Sequence, residues 1–207
     1  MADPDIGAYA HNLIEEVRAQ AEIEGCELHE AFTQLVLDML ASDGHIEDAV
    51  AVHFKSHGVE ISGYGGGPDD RSLDLFLTHY SPRADDEHKI GRGEVDAAFR
   101  RLMTFLSRCI SGTLTRADRS SDLAGMCAAV TERFARVESV RLILITNARS
   151  VVRGSLTPMV FQGRTVTREL WDLRRLANWS TSGNKAEPIV AEFPEGLPCL
   201  ATPRTDE

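Results

Sequence analysis

The sequence predicts an α/β fold in which a central mixed sheet is flanked by helices. Residues 140–146, VRLILIT, form a nearly continuous apolar run of the kind that is buried on both faces of a sheet. Residues 58–81 alternate between apolar and polar side chains around a turn rich in Gly and Asp, which indicates a β-hairpin. Several other segments repeat apolar residues at helical spacing, and such helices need a sheet against which to bury them.

The first 56 residues are predicted to form a helical segment that packs on the core. Apolar residues at helical spacing indicate helices over 5–24 and 27–41. A third helix is expected after Gly44, with acidic residues near its positive N-terminal end. Its apolar face would consist of Ile46, Ala49, Val50 and Phe54.

The remaining elements are predicted to complete one α/β domain over residues 57–200. Helices are expected at 93–111, 119–136 and 166–178. A polar loop is expected at 81–92, and further strands at 157–162 and in EPIVAEF, residues 187–193. Residues 201–207 are expected to be an unstructured tail.

The composition limits the classes of protein to which this chain can belong. The net charge of -10 argues against a broad basic surface for non-specific nucleic-acid binding. The N-terminus does not resemble a signal peptide, and no apolar run approaches the roughly 18 to 20 residues of a membrane span. The widely spaced cysteines favour reduced thiols over a zinc site or a disulfide framework. They are Cys26, Cys109, Cys127 and Cys199. We therefore expect a cytoplasmic protein without a membrane partner.

The hairpin is the place where nuclease chemistry would be expected. Metal-dependent phosphodiester cleavage needs carboxylates that hold Mg²⁺ and usually a lysine that activates water. An acid and a lysine two residues apart on one strand share a face, opposite an aspartate on the other strand. Here the corresponding residues are Leu77 and His79, with Ser62 on the opposite strand. Because leucine does not bind metals, an active nuclease site of this kind is not predicted.

A relocated site remains an alternative. Glu47, Glu60 and His79 are its candidate ligands for Mg²⁺, and Asp74 is a fourth, although alternation places Asp74 on the other face of the strand. His53 and His57 form a second candidate metal pair, because they would be one turn apart on the predicted third helix.

The simpler interpretation of the hairpin is structural. Asp69 and Asp70 are expected to serve the turn, since Asp side chains hydrogen-bond to nearby backbone. The apolar face of the second strand is expected to lie in the core, and it consists of Leu73, Leu75 and Leu77. The sequence contains neither a GxxxxGK[ST] phosphate loop nor a GxSxG nucleophile motif, so no cofactor is predicted unless the metal-dependent alternative holds.

Four segments in order carry a resemblance to a known family. They are GHIEDAVAVHF, GVEISGYGGGPDDRSLDLFLTHYS, RLILITN and ELWDLRRLANW, within residues 35–200. Together they resemble the N-terminal region of AIPR proteins, the bacterial abortive infection phage resistance family. The resemblance implies a restriction-endonuclease-like, or PD-(D/E)XK, domain with hairpin patterns G-I-D-A-[FY] and [EQ]-S-K-[YF]-S. The family Asp falls on Ser62, the acid or Gln on Leu77, and the Lys on His79, while Tyr80 and Ser81 match the pattern's end.

The resemblance implies a catalytically inactive, nuclease-like domain of an anti-phage defence protein. Such a domain would bind other protein regions or subunits, including a second copy of itself. The alternatives are a metal-dependent nuclease that cleaves DNA or RNA with a non-standard site, and a structural α/β domain without a defence role. The resemblance also implies that an AIPR domain follows residue 207, so that nucleic acid would be bound only through the full-length protein.

Overall fold

The computed structural model describes residues 5–82, 88–117 and 121–182. The strand predicted at 187–193 and the tail predicted at 201–207 lie outside these ranges. The helices are α1 (Ile6–Glu24), α2 (Leu28–Ser42), α3 (Arg92–Ile110), α4 (Thr113–Ala117), α5 (Ser121–Arg136) and α6 (Leu173–Ser182). The strands are β1 (Glu47–Ser56), β2 (Val59–Gly66), β3 (Ser72–His79), β4 (Lys89–Ile90), β5 (Ser139–Thr146), β6 (Arg149–Ser150), β7 (Met159–Phe161) and β8 (Arg164–Trp171).

Six strands form one mixed sheet in the order β1-β2-β3-β5-β8-β7. Strands β1, β2 and β3 are antiparallel neighbours, β3, β5 and β8 run parallel, and β7 pairs antiparallel with β8. Strands β4 and β6 form a separate two-stranded ladder. The predicted fold class, a central mixed sheet flanked by helices, is confirmed.

Each face of the sheet is covered by its own set of helices. Helices α3, α4 and α5 contribute to one apolar core, whereas α1, α2 and α6 contribute to the other. The central strand β5 alternates between the cores, with Leu142 and Leu144 in the first and Ile143 and Ile145 in the second. All four side chains are fully buried, as the apolar run predicted.

The predicted third helix is wrong, because its residues form strand β1. The register between β1 and β2 shifts twice, between Glu47 and Val50 and between Ala51 and Phe54. Each shift adds one residue to β1, and Asp48 adopts a positive φ of 49°. Such bulges interrupt the period of two that identifies a strand. They explain why the apolar residues of β1 fell at helical spacing.

The helix predicted at 166–178 is wrong in its first half. Strand β8 continues to Trp171, and α6 begins only at Leu173. Asp172 marks the boundary, since its Oδ1 accepts a hydrogen bond from the backbone amide of Arg175 at 3.0 Å. The apolar residues of the strand's end and of the helix's start happened to lie three and four apart. Pairing with β5 and β7 decides the strand conformation here.

The other described elements agree with the predictions. The helices predicted at 5–24, 27–41, 93–111 and 119–136 correspond to α1, α2, α3 and α5. The predicted hairpin consists of β2 and β3, and the strand predicted at 157–162 is β7. Cys109 and Cys127 are buried free thiols, as expected. The predicted loop at 81–92 contains the short strand β4 in its described part.

Removing a central side chain of β5 should weaken the fold. We expect Leu142→Ala to lower the free energy of unfolding by about 2–5 kcal/mol, because the side chain is fully buried and its loss leaves a cavity. Urea denaturation followed by circular dichroism measures this change. Val160→Ala is the control, since Val160 is 76% exposed on the edge strand β7. A Leu142→Ala loss no larger than that of the control would contradict the layered packing.

Candidate functional site

The hairpin strands β2 and β3 separate partway along their length. Their ladder runs from the Gly66–Leu73 pair to the Gly63–Phe76 pair. At the next position Ser62, which is fully buried, accepts a hydrogen bond from the Thr78 amide through its Oγ at 3.0 Å. The Ser62 hydroxyl thus accepts the hydrogen bond that a backbone carbonyl of β2 would accept in a continued ladder. Strand β3 remains paired with β5 as far as His79, so β2 is the strand that diverges.

A chain of hydroxyl groups ties this point of separation to α2. The Thr78 and Thr33 hydroxyl oxygens are 2.8 Å apart, and the Thr33 hydroxyl donates to the His29 carbonyl at 2.7 Å. Because the Thr33 proton is used in that bond, Thr78 is the donor to Thr33. The polar groups of the separated strands are thereby satisfied inside the fold.

A cavity of about 420 Å³ lies beside the separated strands, on the side covered by α3. Its apolar wall consists of Leu77, Ile90, Ala97, Ala98 and Leu144. The polar residues that line it are Lys55, Glu60, Thr78, His79, Glu94 and Arg101, although the Thr78 hydroxyl itself is bonded to Thr33 of α2. The cavity adjoins the carboxyl ends of the parallel strands β3 and β5, the edge at which open α/β sheets usually bind ligands. It is therefore the candidate functional site.

Among the described residues, the two carboxylates that line this cavity are already engaged. Glu60, whose side chain is 13% exposed, lies 2.8 Å from Lys55 Nζ and 3.0 Å from Arg101 Nη1. Glu94 accepts the Gly91 amide through Oε2 at 2.9 Å, which caps the N-terminus of α3. Glu60 therefore has its charge balanced by two cations, and Glu94 serves a helix terminus.

The structure does not bring the acids of the relocated site together. Glu47 pairs with Gly66 in the ladder, whereas Lys55 pairs with Glu60. These two positions are offset by six residues along β2, which corresponds to about 20 Å along the strand. Glu60 and His79 line one cavity, while Glu47 lies toward the other end of the hairpin.

The described residues at the cavity do not fit a Mg²⁺ site. Leu77 is 3% exposed and contributes to the α3-side core together with Leu73 and Leu75, as expected. The Ser62 hydroxyl is occupied by the Thr78 amide. Over residues 5–82, 88–117 and 121–182, no group of three His, Cys, Asp or Glu residues is arranged to hold a metal ion. Magnesium requires several oxygen ligands, and this hairpin does not supply them.

The histidine pair suggested by the sequence is also differently placed. His53 lies in β1 and His57 in the turn that follows, so the helical spacing assumed for them does not apply. His53 instead contacts His29 of α2, with ring centroids 4.0 Å apart. Burial, together with the neighbouring His29, lowers the pKa of His53. This contact helps join β1 to α2.

The two conspicuous aspartates belong to the hairpin turn, as predicted. Asp69 Oδ1 accepts the Arg71 amide at 3.1 Å, and Asp70 adopts a positive φ of 52°. Asp70 Oδ1 lies 2.6 Å from Arg133 Nη2, which anchors the turn to α5. Their carboxylates thus shape and fix the turn.

A buried ionic network crosses the opposite face of the sheet, and sequence reasoning missed it. Asp74 is fully buried and accepts hydrogen bonds from Arg141 Nε at 2.8 Å, from Arg141 Nη2, and from Ser72 Oγ at 2.9 Å. Arg141 Nη2 also donates to the His45 carbonyl at 3.0 Å. The available signal was a charged residue inside each of two apolar strands, because buried charges are nearly always paired.

Glu169 extends this network toward α6. It lies 3.7 Å from Arg141 Nη1 and 3.6 Å from Arg175 Nη2, and it accepts a hydrogen bond from Trp171 Nε1 at 3.3 Å. Burial by itself would raise the pKa of Glu169. The contact with His45 and the charges of Arg141 and Arg175 outweigh burial and lower the pKa to about 2. The Glu169 carboxylate is thus ionised at neutral pH, opposite the two arginines. The network links β3, β5 and β8.

Breaking the central ion pair should cost more than removing both of its charges. Asp74→Ala leaves Arg141 without its main counter-charge, and we expect the free energy of unfolding to fall by about 3–5 kcal/mol. The double variant Asp74→Leu with Arg141→Met should recover much of this loss in urea denaturation, because no unpaired charge remains. The control Glu138→Ala breaks the exposed Arg71–Glu138 pair and should cost about 0–1 kcal/mol. An equal loss of unfolding free energy in Asp74→Ala and Glu138→Ala would contradict the inference that Asp74 is the main counter-charge of Arg141.

Acid should weaken the network through Glu169. Its pKa is lower in the folded chain than in the unfolded chain, so the unfolded chain binds the proton more readily. The stabilisation is present above about pH 5 and is lost as the pH falls toward 2. We expect Glu169→Gln to reduce the stability at neutral pH and to show a shallower acid decline than the parent chain in urea denaturation at each pH. Glu138→Gln should retain the full slope, and an unchanged slope in Glu169→Gln would contradict the inferred pKa.

Within the described ranges, none of the helices is both long enough and apolar enough to cross a membrane. Comparison with models of known protein families gives a match. Residues 32–178 match the abortive infection phage resistance protein N-terminal domain. No curated protein and no solved structure matches the chain. Since the matched segment is well over half of the 207 residues and includes the hairpin, the cavity and the ionic network, the chain belongs to the abortive infection phage resistance N-terminal domain family.

Proposed function

We propose that this chain acts in the cytoplasm as a catalytically inactive, nuclease-like domain of a phage defence protein. Membership of the family indicates the role in abortive infection. The observation that carries the proposal is the composition of the cavity beside the hairpin. Leu77 forms its wall where a metal ligand would be needed, and the two carboxylates that line it in the described part of the chain are engaged.

The electrostatics of Glu60 support the absence of metal-dependent cleavage. A Mg²⁺ ion bound to this carboxylate would lie near Lys55 and Arg101, which already contact it. Like charges at such distances repel, and the repulsion grows in a partly buried site. Glu60 would have to exchange two cations for a metal ion, and Glu94, the other described carboxylate at the cavity, already caps α3. A structural role for Glu60, joining β1, β2 and α3, accounts for the same contacts.

We infer that the domain acts by binding other protein regions or a second copy of itself. The net charge of -10 disfavours a broad nucleic-acid surface on this chain. The edge strand β7 exposes Val160 by 76% and Met159 by 41%. An edge strand with exposed apolar side chains is a common place for protein contacts.

The alternative is a metal-dependent nuclease that cleaves DNA or RNA with a non-standard site. One observation favours it, namely that Glu60 and His79 line the same cavity. The two functions differ in what they require of His79. A nuclease would use its imidazole as a ligand or base, whereas an inactive domain needs no proton transfer there.

Incubation with nucleic acid distinguishes the two functions. We expect plasmid DNA and single-stranded RNA to remain intact with the chain in Mg²⁺ or Mn²⁺, as judged on gels, because Glu60 and Glu94, the described carboxylates at the cavity, are already engaged. Glu60→Gln and His79→Phe serve as matched variants. Cleavage by the parent chain that disappears in either variant would overturn the proposal and establish the nuclease alternative.

A phage-plating assay tests the role in defence. Cells that carry the whole gene should show a reduced efficiency of plating relative to cells with an empty vector. His79→Phe should protect as well as the parent gene, because phenylalanine keeps a flat ring but has no ligand nitrogen. Loss of protection in His79→Phe would contradict an inactive domain, and equal plating on cells with and without the parent gene would contradict the defence role.

A further inference from the structure

We propose that this chain associates head to tail with further copies of itself. The outer surface of α1 and α2 on one copy, called the acidic surface below, lies against the outer surface of α3 and α4 on the next, called the basic surface. The proposal rests on the binding role proposed above and deepens it, because it names a second copy as the partner and these two surfaces as the contact. It does not depend on whether the chain cleaves nucleic acid.

Most of the negative charge of the chain is concentrated on the acidic surface. Residues 5–43 contain nine carboxylates and a single Lys or Arg residue, Arg18, whereas the net charge of the whole chain is -10. Glu15, Glu16 and Glu22 are exposed on α1. Repulsion between carboxylates that share one surface favours a cationic partner, and it raises the rate at which such a partner is encountered.

The basic surface carries the opposite charge. Residues 92–117 contain five arginines and two carboxylates. Arg100 is exposed, and Arg108 donates a hydrogen bond to the His57 carbonyl at 3.4 Å. Since a carbonyl carries no net charge, this bond leaves the positive charge of Arg108 in place. The basic surface therefore complements the acidic surface, although the chain as a whole is acidic.

The two surfaces face away from each other. Helices α1 and α2 contribute to the core on one side of the sheet, whereas α3 and α4 contribute to the core on the other side. One chain therefore cannot bring its own two surfaces together. Two copies related by a two-fold axis cannot pair both surfaces at once either. Complementary surfaces on opposite sides of a molecule produce a heterologous contact, which repeats from each copy to the next.

Ile23 supplies an apolar contact within the acidic surface. Its side chain is 80% exposed, the highest fraction among the large apolar side chains of the described residues. It lies about two helical turns from Glu16 and next to Glu22, on the solvent side of α1. On α3, Met103 and Ile110 are half-buried and leave apolar surface accessible. Exposed ion pairs contribute little affinity by themselves, whereas burial of an isoleucine side chain contributes substantially.

Sedimentation velocity of the 207-residue chain over a series of protein concentrations tests the proposal. In about 0.1 M NaCl, charges act over about 10 Å, and we expect the sedimentation coefficient to rise with protein concentration. In about 1 M NaCl, charges act over about 3 Å, and we expect the coefficient of a monomer across the same series.

Neutral variants locate the two surfaces. Glu16→Gln with Glu22→Gln weakens the acidic surface, and Arg100→Gln with Arg108→Gln weakens the basic surface. Each double variant should weaken self-association by roughly twofold to thirtyfold, the range expected when two exposed ion pairs are lost. Ile23→Ser should weaken it by roughly tenfold to a hundredfold, because its burial is lost.

The control is Arg71→Gln with Glu138→Gln. It removes two exposed charges that pair with each other at 2.9 Å beside the hairpin turn, outside both surfaces. This variant should associate like the parent chain. Circular dichroism of every variant checks that the fold is retained.

A mixture of the two double variants tests the head-to-tail arrangement. The acidic-surface variant keeps an intact basic surface, and the basic-surface variant keeps an intact acidic surface. The mixture should therefore form dimers with one copy of each variant, at concentrations where either variant alone is a monomer. Growth should stop at the dimer, because the remaining surfaces are weakened. A fluorescent label on one variant identifies the mixed dimer during sedimentation.

Several outcomes would overturn the proposal. A sedimentation coefficient that does not change with protein concentration at low salt would show that the copies do not associate. That result would leave the proposed function in place, because the nucleic-acid gels and the phage-plating assay test it separately. A mixture that sediments like its separate variants would exclude a head-to-tail contact. Weakening by the arginine variant alone would identify another acidic occupant of the basic surface, and equal weakening by the control would exclude both surfaces.

Discussion

The fold depends on a buried ion pair between the two central parallel strands. Asp74 of β3 and Arg141 of β5 are directly opposite each other in the ladder. A slip of one residue would move either side chain to the other face of the sheet, where it would lie unpaired in the α3-side core. The ion pair therefore favours one register of β3 against β5, although burying its two charges costs desolvation free energy. Glu169 of β8 extends the same constraint to the third parallel strand.

That register determines where the candidate site forms. With β3 held against β5 as far as His79, the divergence of β2 at Ser62 opens space at the carboxyl end of the parallel strands. The register shift in β1 between Ala51 and Phe54 accompanies this divergence on the neighbouring strand. The hydroxyl of Ser62 replaces the missing ladder contact, so the opening leaves the Thr78 amide satisfied. The cavity is thus a product of strand geometry, and its chemistry follows from the side chains that border it.

Those side chains are suited to holding and orienting a ligand. Leu77 and Leu144 provide an apolar wall, and the contacts of Glu60 with Lys55 and Arg101 neutralise the polar rim. Charge neutralisation of this kind removes the excess negative charge that attracts a metal ion.

The sequence by itself determined the hairpin, the buried strand β5, four of the helices and the burial of Leu77, because each has a local pattern with the period of its own structure. It also indicated that Asp69 and Asp70 serve a turn. Only the tertiary structure decided that residues 47–56 form a strand and that β8 extends to Trp171, since bulges and pairing with distant strands override local spacing. The Asp74–Arg141 pair and the approach of His88 to His79 were likewise decided by the fold. Their partners are far apart or in separate elements of the chain, and only strand pairing brings them together.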